Sequence, residues 1–108
     1  MATTSYDSEE NPPVVLLVSD DRGTVIVLRA LLEKLGARVH VARSPAEARM
    51  LLGPTMNWVV MDPSVDPQER VQLMAHASKR GLRAEFVVMA QMRDIEGVLE
   101  VMGYSMAG

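Results

Sequence analysis

The chain has 108 residues, 48% of them hydrophobic and none of them cysteine. That length suits one domain with a real core, and the lack of Cys removes a disulfide framework, a thiolate metal site and a Cys nucleophile. The net charge of −3 provides no clustered basic face, so direct nucleic-acid binding is not expected.

The opening residues, Met1 to Glu10, have neither a basic nor an apolar region of the kind a signal peptide requires. No apolar stretch approaches the roughly 20 residues of a membrane span. A cytoplasmic domain without membrane contact is the expectation. Residues 1–13 are polar and acidic and end in Asn11-Pro12-Pro13, which reads as a disordered N-terminal tail. Residues 14–108 form the domain.

From residue 14 on, short apolar runs alternate with helical periods. The run 14–19 is the first strand. Val25, Leu28, Leu31, Leu32 and Leu35 then recur at three- and four-residue spacing, and Gly36 stands where a helix is expected to close. Residues 37–42 alternate as a second strand. Ser44-Pro45-Ala46-Glu47 carries an N-cap, a proline at the first helical position and a glutamate at the third, which predicts a short helix to about Leu52.

Gly53-Pro54 breaks the chain before a third strand, Trp58 to Met61, which runs into Asp62. Asp66-Pro67-Gln68-Glu69 repeats the cap signature and opens a helix that Gly81 ends. Phe86 to Ala90 is a fourth strand. Ile95, Val98, Leu99 and Met102 form the stripe of a fourth helix closed by Gly103, and Tyr104 to Gly108 begins a short fifth strand with no fifth helix after it. Such alternation implies a parallel sheet with right-handed crossovers and helices on both faces.

Two strands end in acid. Val14 to Val18 runs into Ser19-Asp20-Asp21, and the third strand runs into Asp62. In an open parallel sheet the carboxyl edge is where ligands bind. If the two strands are neighbours, Asp20 and Asp62 converge, and two carboxylates repel unless a cation lies between them. The plainer reading of such acids is helix capping, and Asp21 suits it well. Asp66 and Glu69 read as helix-start chemistry. His40 and His76 stand in unlike contexts and suggest no transition-metal site, with His76 expected on the solvent side of its helix. Trp58 reads as core-rim packing and the nine methionines mostly as core filler. An enzyme or cofactor protein is disfavoured, because Asp20-Asp21-Arg22-Gly23 has a single glycine and two negative charges where a phosphate-cradling loop would lie.

Taken in order, these motifs resemble the receiver domain of bacterial two-component response regulators over about residues 14–108. Val15 to Asp21, with the helix ending Leu31-Leu32-Glu33-Lys34-Leu35-Gly36, aligns without a gap to that family's first strand, acidic loop and first helix. Asn57 to Asp62 matches the strand that ends in the phosphoaccepting aspartate. The resemblance implies an α/β, flavodoxin-like, doubly wound parallel sheet of order 2-1-3-4-5, here with a short fifth strand, no fifth helix and a truncated C-terminal end. It implies phosphorelay signalling: Asp62 accepts a phosphoryl group from a histidine kinase or phosphotransfer protein. Mg²⁺ is then held by Asp20, Asp62 and the Ser64 backbone carbonyl, with Asp21 as a further ligand.

The departures from the family pattern are specific. Ser19 stands where the first acid of the loop belongs. Ala90 occupies the switch position where Thr or Ser is expected, and no lysine follows a fifth strand. Pro63-Ser64-Val65 replaces the usual residues after the phosphoacceptor. These losses remove a cation and a hydrogen bond to the phosphoryl group. The alternative reading is therefore a phosphorylation-independent pseudo-receiver, a protein–protein interaction module. Homodimerisation is expected through the face of the fourth helix or the edge left by the short fifth segment.

Overall fold

The computed structural model of the chain describes residues 12–89 together with residue 100. Apart from Glu100, which is helical, the expected fourth helix, the fifth strand and the switch position Ala90 lie outside the described residues. Within them, four strands and three helices alternate in the expected order: β1 (Val14–Val18), α1 (Arg22–Lys34), β2 (Arg38–Ala42), α2 (Pro45–Leu51), β3 (Trp58–Met61), α3 (Pro67–Lys79) and β4 (Glu85–Val88). The strands form one parallel sheet of order β2-β1-β3-β4. This is the flavodoxin-like arrangement, with β1 and β3 as neighbours. No helix among the described residues is long and apolar enough to cross a membrane.

β1 lies between β2 and β3, and its composition explains why. Val15, Leu16, Leu17 and Val18 are all fully buried, a run without alternation that only a strand covered on both faces can satisfy. Its residues divide between two cores. Val15 and Leu17 pack with Leu28 and Leu32 of α1, Val39 and Val60. Leu16 and Val18 pack with Ala48 of α2, Leu73 and Ala77 of α3, Val59 and Met61. Trp58 is half-buried at the rim of the first core. Pro13, read as tail from the sequence, already joins the sheet, because its carbonyl accepts from the Arg38 N–H at 2.9 Å.

The helix boundaries follow local chemistry. Ser44 Oγ accepts from the Glu47 N–H, and Glu47 Oε1 accepts from the Arg43 N–H, closing the start of α2. The Asp66 carboxylate accepts from the Gln68 N–H at the start of α3. Both long helices close in the same way. Ala37 N–H bonds to Leu32 O and Gly36 N–H to Glu33 O, and Leu82 N–H bonds to Ala77 O and Gly81 N–H to Ser78 O. These are Schellman pairs, and they need a left-handed residue: Gly36 has φ 98° and Gly81 has φ 71°.

His76 corrects the sequence reading. It is half-buried rather than on the solvent side, because it flanks the buried Leu73–Ala77 stripe, and its Nε2 is sealed from solvent with no hydrogen-bond partner among the described residues.

Gly81 offers a direct test of what ends α3. Nothing lies within 4 Å of an added Cβ there, so Gly81→Ala carries backbone strain alone. Urea unfolding is expected to register a loss of about 1–2 kcal/mol, with Gly81→Asn losing less.

Candidate functional site

The register of the sheet builds the site. Val18 is paired with Met61, and the ladder continues one step beyond both strands. The Asp62 N–H donates to Val18 O at 2.9 Å, and the Ser19 N–H donates to Ala42 O at 3.0 Å. Ser19 and Asp62 are therefore adjacent at the carboxyl edge, where β1 and β3 end. Ser19 is 1% exposed and Asp62 7%.

A buried carboxylate needs partners for both oxygens, and Asp62 has them. Oδ2 accepts from the Ser19 hydroxyl at 2.7 Å. Oδ1 accepts from the Ser64 backbone N–H at 2.9 Å, and the Asp62 carbonyl accepts from the Val65 N–H at 3.0 Å. Ser19 Oγ in turn accepts from the Asp21 N–H at 3.1 Å. The serine hydroxyl thus joins the end of β3 to the start of α1. Sequence reasoning treated Ser19 as a missing acid. Its role as a donor was signalled by its place one step past β1, opposite Asp62 in any register that pairs the two strands.

The remaining acids are arranged differently. Asp20 lies in a bend and is exposed. It lines a cleft of about 200 Å³ with Ser19, Arg43, Ser64, Asp66 and Glu69, among others. A smaller cleft on the α1 side places Asp20 beside Arg22 and Arg43. Asp21 occupies the N-cap of α1 without a side-chain bond to a backbone N–H. Its carboxylate accepts instead from the Thr24 hydroxyl at 2.6 Å. That bond holds the Asp21 carboxyl below the usual carboxylate range.

The described residues do not form a preassembled divalent-cation site. Among the described residues no group of three or more His, Cys, Asp or Glu side chains is placed to hold one. Asp62 has both oxygens engaged, Asp21 is committed to Thr24, and Arg43 shares the cleft with Asp20. Hard cations of this kind need several oxygen ligands in one place. The structure brings together Asp62, Ser19 and the Ser64 backbone, with Asp20 and Ser64 on a common cleft.

Removing the donor tests the arrangement. Ser19→Ala leaves a buried carboxylate oxygen without its partner, and thermal or urea unfolding is expected to show a loss of about 1–3 kcal/mol. Thr24→Val is expected to raise the Asp21 pKa toward its ordinary value in an NMR pH titration. The sign follows from the lowered folded value: stability from the Thr24 bond is present above the unfolded-state pKa and is lost as pH falls through the folded one.

No protein-family model matches the chain, and no curated protein matches it in sequence. Solved structures share its fold, among them a design and a response regulator. A de novo designed Rossmann fold protein superposes with a TM-score of 0.64 at 22% identity, over 85% of this chain and 97% of that one. The MaeR response regulator bound to beryllium trifluoride superposes with a TM-score of 0.59 at 18% identity, over 89% of this chain and 81% of its own. At such identities the likeness is one of fold, and a fold held in common by a design and a response regulator carries no function by itself.

Proposed function

We propose that the chain is a receiver-like signalling module that acts through protein contacts and keeps Asp62 as a fixed structural group, without phosphoryl transfer. One observation carries the reading: both Asp62 oxygens are engaged, one of them by a serine hydroxyl in the place of an acid. A neutral donor removes the repulsion that would otherwise call for a cation, so the corner is stable by its own bonds. On this reading the ligand is a protein, and the chain catalyses no reaction.

A second reading is favoured by Asp20. Its exposed carboxylate lines the same cleft as Ser64, beside the end of β3. In that case Asp62 accepts a phosphoryl group from a histidine kinase or phosphotransfer protein, and Mg²⁺ is held by Asp20, Asp62 and the Ser64 carbonyl. This requires Asp62 to take on further partners beside the Ser19 hydroxyl and the Ser64 N–H, through its remaining lone pairs. Ala90 stands at the switch position in the sequence, so no side-chain hydroxyl there would bond a phosphoryl oxygen.

Beryllofluoride with Mg²⁺ separates the two. The first reading expects amide NMR signals around Ser19, Asp62 and Ser64 to stay in place, and Asp62→Asn to leave partner binding and cellular output unchanged. Saturable shifts at those amides, abolished by Asp62→Asn, would establish the second.

A further inference from the structure

At the opposite edge of the sheet, where the strands begin, the chain encloses a cleft of about 500 Å³ lined by Pro12, Val14, Arg38, His40, Pro54, Thr55 and Asn57. We propose that this cleft binds a small oxyanion, a phosphate or carboxylate group, on Arg38, His40, Thr55 and Asn57.

The cleft follows from the topology. Arg38 and His40 are two apart on β2 and paired with Val14 and Leu16, so both project on the α2–α3 side of the sheet, where Leu16 packs. α2 has only seven residues. The chain then returns through Pro54 and Thr55 to Asn57, which faces the two β2 residues across the space left uncovered.

The chemistry of the lining favours an anion. The chain carries more acids than bases, yet among the described residues no carboxylate lines this cleft. Among the described residues Arg38 has no ion pair, the one such pair being Arg29 with Glu33. Asn57 Oδ1 is committed to the Val14 N–H at 2.8 Å, which leaves its Nδ2 hydrogens as the free donors of that amide. Guanidinium, imidazole, hydroxyl and amide N–H together make a donor set. Arg in particular matches the planar, bidentate geometry of carboxylate and phosphate. The volume lies within the usual range for small-molecule sites, roughly 300–1,000 Å³. Nothing in this argument depends on how Asp62 is used.

The test is an NMR titration of the full chain with inorganic phosphate and, separately, malonate at constant ionic strength. Saturable shifts are expected at residues 38, 40, 55 and 57. Arg38→Ala is expected to weaken phosphate binding roughly tenfold or more, the range of a lost charge-assisted hydrogen bond. Arg22→Ala removes the same charge at the far edge and is expected to leave binding unchanged. Joint replacement of Asp7, Glu9 and Glu10 by Asn, Gln and Gln distinguishes sources of the oxyanion. Tighter phosphate binding assigns the site to the chain's own acids, and unchanged binding assigns it to a free anion. Shifts spread over the whole surface, or equal weakening by Arg22→Ala and Arg38→Ala, would overturn the proposal.

Discussion

The hydrogen bond from the Ser19 hydroxyl to Asp62 stands where three constraints meet. The parallel register of β1 and β3 puts the two residues side by side. Burial of the corner obliges every polar atom there to find a partner. The turn into α1 hangs from the same serine oxygen, through the Asp21 N–H. Were residue 19 an acid, the corner would hold two negative charges without a donor between them and its stability would depend on solution cations. With serine, the sheet edge is complete on its own terms.

The rest of the described fold is organised around β1. Because that strand is apolar at every buried position, helices must cover both of its faces, and it contributes to both cores, as β2 and β3 do. α1 on one side and α2 with α3 on the other are short or capped so that each strand re-enters the sheet in parallel. The glycines after α1 and α3 turn the chain back within two residues, and Ala37 and Leu82, just after those turns, pack on the cores the helices serve. A designed protein shares this fold. It is a solution to packing first, and a place for function second.

Much of this was legible in the residues. Run length and β-branching identified the strands, three- and four-residue spacing identified the helices, and Ser44, Asp66, Gly36 and Gly81 marked their ends, because those signals act within a few residues. Alternation of the elements marked the sheet as parallel, and the order beside β1 came only with the resemblance to receiver domains. What was not legible depends on side chains meeting across the fold. Ser19 looked like a loss in a comparison of motifs, and only the register shows it as a donor. Asp21 looked like a backbone cap, but the Thr24 hydroxyl three residues on offers a closer partner. His76 fell on the wrong side of its helix, since periodicity places a residue to within a neighbouring position and no better. The cleft on Arg38 and His40 was out of reach, because it exists only through the return of residues 54–57 beneath a seven-residue helix.

The placement of Arg38 and His40 on β2 also bears on how copies or partners can approach. β2 is the outermost described strand on its side of the sheet, and an open strand is a template for adding another chain. Here that template is interrupted by a guanidinium and an imidazole at alternate positions and followed at once by Arg43. A neutral, apolar strand gains little by lying along such a border.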